Sequence, residues 1–190
     1  MTAPGIDGSP EDGFETERLV VRGWHLSDVD AFFDIYRRWE VARWLGSAPR
    51  ALETLDEAEA RVTRWSELNR SADGERRWAV ERREDGRVLG TALLLRLPDG
   101  DGEFEVGWHL HPDAWGHGYA TESARGAVDW GFGRGLSEVL AVVRPGNTAS
   151  TAVCRRLGME PLGLTSRYYG TELELFRLGR EMAEEPPATG

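Results

Sequence analysis

The order of strand-like and helix-like segments is the feature that most constrains the fold of this chain. Residues 77–82, 88–97 and 103–110 are three consecutive strand-like segments, separated only by turns rich in Asp and Gly. Short turns join strands antiparallel, whereas an intervening helix allows the next strand to lie parallel. The strand-like segment 138–144 follows a predicted helix, so a meander continues into a β-α-β unit. The sequence therefore predicts an α/β fold, mixed and α+β-like, with helices on both faces of one sheet.

The helices are predicted before and after this meander. Ser27 caps one helix, and Thr54 with Glu57 forms a capping box that opens a second one. The apolar face of the first helix consists of Val29, Phe32, Phe33 and Tyr36, at helical spacing. Residues 119–134 and 148–157 have the pattern of two further helices. The remaining strand-like segments are residues 17–22, 162–165 and 172–178.

The length and the two chain ends indicate one domain. A chain of 190 residues suits a single core, which we assign to residues 14–180. Residues 1–13 and 181–190 are polar and rich in Gly, Pro or acidic residues, which predicts disordered tails. No apolar run approaches the roughly 18 residues of a membrane span, and the acidic N-terminus does not resemble a secretory signal. We therefore expect a cytoplasmic protein that has no membrane partner.

The charge balance and the cysteine content exclude further classes. The chain has 33 acidic and 23 basic residues, and its formal net charge is −10. Such a chain repels the phosphate backbone, so we expect no nucleic-acid partner. Cys154 is the single cysteine, which excludes an internal disulfide. We interpret Cys154 as a small buried apolar residue.

A loop with two glycines lies between the third strand of the meander and the next helix. Gly116 and Gly118 would let an anion approach the free N–H groups at the positive end of that helix. Residues 111–122 (HPDAWGHGYATE) are therefore a candidate pyrophosphate-binding loop. No Gly-Lys-Ser/Thr follows, which excludes a Walker loop, and the preceding meander argues against a dinucleotide fingerprint. A simple tight turn is the alternative that the glycines alone leave open.

Several short motifs around this loop occur in a characteristic order and spacing. They are residues 88–91 (VLGT), 105–112 (EVGWHLHP), 115–122 (WGHGYATE), 144–150 (RPGNTAS), 156–159 (RLGM) and 167–170 (RYYG). Together they resemble the GCN5-related N-acetyltransferases, and most closely the branch that acetylates the N-termini of ribosomal proteins. The resemblance covers about residues 15–180. It implies a central, mostly antiparallel twisted sheet of six to seven strands, with about four helices on both faces.

The resemblance also implies an activity. An acetyl group would pass from acetyl-CoA to a primary amine by direct attack in a ternary complex, without a metal. The acceptor would be a protein N-terminal α-amine or a small-molecule amine. The implied cofactor-binding residues are His109, Leu110, His111, Gly116, His117, Gly118, Tyr119, Ala120, Thr121, Asn147 and Ser150. The implied substrate-binding residues are Trp44, Tyr168 and Tyr169.

Glu105 and Ser150 are the implied candidates for the chemistry itself. Glu105 matches a recurrent Glu of the family and is our candidate base, with His109 as a second one. Strand alternation places Glu105 and His109 on the same face as Glu103 and His111. Ser150 would donate a hydrogen bond to the departing sulfur. An α-amine, with a pKa of about 8, would need less help from a base than lysine, at about 10.4.

The chain departs from the family pattern at two positions. Asp113 stands where the loop of many members begins with Gln or Arg, which removes a donor near the phosphates. Cys154 stands where many members have a Tyr that protonates the leaving thiol. The branch that acetylates N-termini often lacks this Tyr, and Ser150 matches its proposed substitute. Asn147 is also a candidate helix cap.

The sequence leaves open two other functions and one oligomeric state. The first alternative is a non-catalytic acyl-CoA-binding sensor or regulatory module. The second is a metal hydrolase that uses His109, His111 and His117, although no fourth ligand has a fitting spacing. A homodimer through the C-terminal strands is an arrangement that the sequence leaves open.

Overall fold

The computed structural model describes residues 13–70 and 74–183. The strands are β1 (Phe14–Glu15), β2 (Leu19–Gly23), β3 (Arg76–Arg82), β4 (Val88–Arg96), β5 (Phe104–Leu110), β6 (Glu138–Val143), β7 (Glu160–Thr165) and β8 (Leu173–Gly179). The helices are α1 (Val29–Tyr36), α2 (Trp39–Ala42), α3 (Leu55–Asn69), α4 (Tyr119–Gly133), α5 (Thr148–Leu157) and α6 (Arg180–Ala183), with 3-10 turns at Leu26–Asp28 and Pro112–Ala114. The predicted tails, residues 1–13 and 181–190, lie outside the described residues except for Gly13 and residues 181–183.

The strands form one mixed sheet of eight strands in the order β1-β2-β3-β4-β5-β6-β8-β7. Every neighbouring pair is antiparallel except β5 and β6, which are parallel. The predicted fold is confirmed, with one strand more than the six to seven expected. The additional strand is β1, which has only two residues and is too short to show a periodic pattern in the sequence.

The helices cover both faces of the sheet, as predicted. On one face, α1 and α3 enclose a cluster that includes Trp24, Phe32 and Val62. On the other face, α4 and α5 pack on a second cluster that includes Trp78 and Trp130. Thr54 caps α3 by accepting a hydrogen bond from the backbone N–H of Glu57, which the capping-box pattern predicted. In residues 13–70 and 74–183, no helix combines the length and the apolar character that crossing a membrane requires.

The parallel strands β5 and β6 separate shortly after they meet. They pair at a single position, Glu105 with Leu140, whereas β4 and β5 remain paired along the whole of β5. The backbone N–H of His111 donates to the carbonyl oxygen of Leu89 at 2.8 Å. Because hydrogen-bonding directions alternate along a strand, the backbone groups of Trp108 and Leu110 face the gap between β5 and β6. This gap opens the sheet at its centre.

Cys154 is fully buried in the core between α5 and the sheet, which confirms its interpretation as a small apolar residue. Burial raises the pKa of its thiol to about 12. A thiol reagent reacts with the thiolate, so we expect almost no labelling of the native protein at pH 8. Mass spectrometry should detect one label for each chain after unfolding in guanidinium chloride. Rapid native labelling would show that Cys154 is accessible and would contradict the described packing.

Candidate functional site

A cavity of about 1120 Å³ occupies the gap between β5 and β6. Its wall contains residues from both sides of the sheet: the glycine loop and α5 on one side, and the segment around α2 on the other. The predicted site residues that line it are Trp44, Glu105, His109, Leu110, Gly116, His117, Gly118, Tyr119, Ala120, Thr121, Asn147, Ser150 and Tyr169. The structure thus brings together residues from distant parts of the chain. His111 and Tyr168 lie outside this wall.

The glycine loop leads directly into the N-terminus of α4. Gly116 and Gly118 have φ values of 78° and 81°, in the left-handed region that favours glycine. Gly118 is the residue that caps α4, so no side chain occupies the first free N–H groups of the helix. The hydroxyl of Thr121, in the first turn, is buried and has no hydrogen-bond partner among the described residues. These unfilled donors at the positive end of a helix fit a pyrophosphate group.

Hydrogen bonds outside the cavity fix this loop, and the sequence did not indicate them. Arg18 donates from Nη1 to the carbonyl oxygen of His117 at 3.0 Å and from Nε to Glu122 at 2.7 Å. The hydroxyl of Thr16 donates to the same carboxylate at 2.6 Å. Burial alone would raise the pKa of Glu122, but the bonds from Thr16 and Arg18 outweigh it and lower the pKa. Arg18 and Glu122 are 104 positions apart, so no local pattern could have connected them.

The strand register determines which backbone groups can contact a ligand in the gap. The resemblance implied cofactor contacts at His109, Leu110 and His111. The backbone N–H of His111 is already used by Leu89, and the backbone of His109 faces β4 for the same reason. Among the described residues, the backbone of Trp108 and the backbone N–H of Leu110 face the gap without a partner strand, whereas the carbonyl oxygen of Leu110 accepts the indole N–H of Trp115 at 2.9 Å. Trp108 was therefore missed, because alternation within a strand cannot be assigned before its neighbours are known.

The start of α5 is the third side of the cavity. Asn147 caps this helix, since its Oδ1 accepts the backbone N–H of Ser150 at 3.2 Å. This bond is the capping role that its sequence position suggested, and both residues also line the cavity. The cap fixes Ser150 in the first turn of the helix, beside the gap in the sheet. A hydroxyl there can act as a hydrogen-bond donor toward a ligand in the gap.

Glu105 is the ionisable group at the point where β5 and β6 separate. Its side chain is buried, and the Tyr169 hydroxyl donates a hydrogen bond to it. Burial raises the pKa of Glu105 to about 7, and the nearby Glu75 adds to this rise, while Tyr169 and Arg77 oppose it. Tyr169 has a φ of 58°, unusual for a residue other than glycine, and this backbone conformation accompanies its position in the wall. A carboxylate with this pKa can accept a proton near neutral pH.

His109, the second candidate base, is held as a neutral group. Its Nδ1 lies 3.0 Å from the hydroxyl of Tyr36, which is 2.7 Å from the hydroxyl of Thr91. Burial lowers the pKa of His109 to about 4. A group with this pKa is a weak proton acceptor at neutral pH, so Glu105 is the better candidate base.

His111 does not share a site with His109. Its side chain is buried, Nδ1 accepts the backbone N–H of Asp113 at 3.2 Å, and Nε2 lies 3.1 Å from Asp34. His111, which was predicted to bind the cofactor, lies outside the cavity wall, and its side chain supports the 3-10 turn behind the loop. In the described parts of the chain, no group of three or more His, Cys, Asp or Glu residues could hold a metal ion.

Tyr168, Tyr169 and Asp113 differ in their surroundings. Tyr168 is buried among apolar residues, and its hydroxyl lies 3.4 Å from Glu103, so it is a packing residue rather than part of the acceptor site. Only its neighbour Tyr169 reaches the cavity wall. Asp113 forms an ion pair with Arg87 at 3.1 Å outside the wall. Its charge is thus partnered away from the free N–H groups of the loop.

Comparisons with known proteins agree with this geometry. A family profile described as an acetyltransferase (GNAT) domain matches residues 18–160. An uncharacterized N-acetyltransferase, YoaA from Bacillus subtilis, is 30% identical over 155 residues, which are 81% of this chain and 86% of that protein.

Two solved structures are similar in fold. The ribosomal-protein-S5-alanine acetyltransferase from Vibrio fischeri has a TM-score of 0.72 and 20% identity, covering 91% of this chain and 99% of that one. RimJ from Mycobacterium smegmatis, solved with a CoA-disulfide, has a TM-score of 0.72 and 19% identity, covering 88% of this chain and 84% of that one. At these identities the structures show a shared fold alone.

Proposed function

Because this chain belongs to the acetyltransferase (GNAT) family and is an acyl-CoA-dependent N-acetyltransferase, we propose that its acceptor is the α-amine of a peptide or protein N-terminus. The observation that carries this proposal is the buried carboxylate of Glu105, with a pKa of about 7, at the gap in the sheet. An α-amine has a pKa of about 8, close to that of this carboxylate, whereas a lysine amine is at about 10.4. Proton transfer from the attacking amine to Glu105 is therefore much easier for an α-amine.

The co-substrate would lie in the gap between β5 and β6, and the residues present fit its groups. The loop at Gly116 and Gly118 would bind the pyrophosphate through backbone N–H groups. The backbone groups of Trp108 and the backbone N–H of Leu110 would bind the pantetheine arm and polarise the thioester carbonyl. The solved RimJ complex, which contains a CoA-disulfide, supports a CoA-type ligand for this fold.

The reaction needs little from the protein beyond orientation and proton transfer. Acetyl-CoA supplies the acetyl group as a thioester. The amine nitrogen forms a bond to the acetyl carbon, the carbon–sulfur bond breaks, and Glu105 accepts the proton that leaves the nitrogen. Ser150 donates a hydrogen bond to the departing sulfur, which takes one proton from solvent and ends as a thiol, while Glu105 returns its proton to solvent. Cys154 has no part in this step, since its thiol is buried and its pKa is raised to about 12.

The name of one structural neighbour supports this acceptor. The Vibrio fischeri protein is named for acetylation of an alanine of a ribosomal protein, and this name describes that protein alone. It supports a protein N-terminus as the acceptor here over a small-molecule amine. The cytoplasmic location and the homodimer stay predictions.

A thiol-release assay with acetyl-CoA and matched peptides tests the proposal. One peptide has a free α-amine and no lysine, and the other has a blocked N-terminus and one lysine. We expect turnover with the first peptide only, and mass spectrometry should place the acetyl group on the α-nitrogen. Turnover restricted to lysine or to small-molecule amines would overturn the proposed acceptor. Whatever the acceptor, a rise in the melting temperature of the protein on addition of acetyl-CoA shows that the co-substrate binds.

A further inference from the structure

The half of the cavity that faces α1–α3 differs in character from the half beside the glycine loop. Leu95 pairs with Glu105 and Leu93 pairs with Gly107, and residues paired across neighbouring strands point to the same face. That face is covered by α1 and α3, opposite α4. We call this half the acceptor pocket, because it contains the carboxylate of Glu105. Its apolar wall consists of Val41, Trp44, Leu45, Trp65, Leu93, Leu95 and Leu173.

Most polar residues of the acceptor pocket are already engaged. The guanidinium of Arg43 lies 4.2 Å from the centre of the Trp44 ring. Arg144 donates to the backbone carbonyl oxygens of Gly46 and Ser47, which ties β6 to the segment after α2. Tyr169 donates to Glu105, and His109 is neutral because burial lowers its pKa to about 4. These groups leave the apolar side chains as the surface that a bound acceptor would contact.

The charges of this pocket suit one ammonium or amine group and no more. Among the described residues that line it, the carboxylates are Glu105, which is buried, and Glu40, which is exposed at the rim. Arg43 and Arg144 lie at the same rim and repel additional positive charge. A second ammonium group that lay against the apolar walls would lose its water there, and the charges of Arg43 and Arg144 offset the exposed carboxylate of Glu40. An apolar group beside the reacting amine would instead gain from burial.

We propose, on the basis of the proposed function, that the acceptor is a primary monoamine whose amine-bearing carbon holds an apolar or aromatic group. In a peptide this group is the side chain of an N-terminal residue such as Leu or Phe. A free arylalkylamine holds the same kind of apolar group beside a more basic amine. Polyamines and aminoglycosides are excluded as good acceptors by their additional charges.

The test measures kcat/KM for peptides that are identical except for the first residue. We expect N-terminal Leu and Phe to exceed Ser, Asp and Lys by about tenfold or more, since one methylene in an apolar pocket is worth that much. 2-Phenylethylamine should exceed spermidine and tobramycin by a similar factor. The peptide and free-amine arms show which source of the apolar amine is used. Equal values across the first residues, or a preference for spermidine, would overturn the inference.

A pair of tryptophan variants tests the pocket itself. Trp44 lines the acceptor pocket, whereas Trp39 is 55% exposed on α2 and lies outside the cavity wall. We expect Trp44→Ala to reduce the preference for Leu over Ser at least threefold and to leave the KM for acetyl-CoA unchanged. Trp39→Ala should keep the wild-type preference. An unchanged preference in Trp44→Ala would count against the pocket as the source of specificity.

These results separate the inference from the proposed function. If acetyl-CoA raises the melting temperature but no α-amine is acetylated, the proposed function fails. If α-amines are acetylated without a preference for an apolar first residue, only the further inference fails. The substrate panel uses the wild-type protein, so it does not depend on the folding of any variant.

Discussion

Replacing Glu105 with Gln is expected to lower kcat/KM for an α-amine by about 100-fold or more at pH 7, as loss of a general base does. Gln has nearly the same shape and can still bond to Tyr169, so the change removes mainly the ability to accept a proton. The measurement is initial-rate thiol release with a peptide acceptor. Glu103→Gln is the matched control, because Glu103 lies on the same face just before β5 but pairs with Arg167 outside the cavity. We expect that control to retain most of its activity.

The pH dependence of the reaction rate is a second test of Glu105 as the base. Burial raises the pKa of Glu105 from its ordinary value of 4.5 to about 7, so the carboxylate becomes protonated as the pH falls below 7. The wild-type rate should fall with it, and this limb should be absent in Glu105→Gln. A variant that keeps the wild-type rate and the limb near pH 7 would show that another group is the base.

Stability measurements distinguish loss of the base from loss of the fold. A raised pKa means that the folded state binds the proton of Glu105 more tightly than the unfolded state does. This contribution to stability is present below pH 4.5 and is lost as the pH rises through about 7. Glu105→Gln cannot ionise, so at pH 8 its melting temperature should equal or exceed that of the wild type. A large decrease would indicate damage to the fold.

Substituting Gly118 with Ala is expected to raise the Kd for acetyl-CoA at least about tenfold, a loss of about 1.4 kcal/mol in binding. The added methyl group would stand at the helix N-terminus where phosphate oxygens approach the backbone. Its nearest neighbour outside the loop is Nη2 of Arg18 at 3.4 Å, which is an ordinary contact. The loss should therefore come from the ligand rather than from a clash. Isothermal titration calorimetry measures it directly.

Gly158 provides the control for backbone strain at Gly118. Both glycines have a φ of 81°, so Ala at either position costs about 1 kcal/mol in stability through the same left-handed conformation. Gly158 ends α5, and an added Cβ there meets nothing within 4 Å. Gly158→Ala should lower the melting temperature to a similar extent and leave the Kd unchanged. Equal loss of affinity in both variants would mean that strain, rather than access to the phosphates, explains the effect.

Local sequence patterns were sufficient to predict most helices and strands of the fold. The capping box at Thr54, the helical spacing that ends at Tyr36, and the glycine that ends α5 all act within a few residues, so they are readable from the sequence. The candidate pyrophosphate loop was readable for the same reason, since Gly116 and Gly118 lie between a strand and a helix. The resemblance to a family then narrowed the ligand to an acyl-CoA, which two glycines could not do.

The sequence by itself determined most of the elements, their order, the glycine loop and the position of Glu105 on one face of β5. Tertiary structure decided which of these residues meet and how their charges behave. The gap between β5 and β6 exposes the backbone of Trp108 rather than that of His111, because hydrogen-bond directions depend on the neighbouring strand. Likewise, the pKa of Glu105 is near 7 because segments distant in the sequence bury its carboxylate and exclude water from it. The spacing of residues in the sequence does not predict this burial.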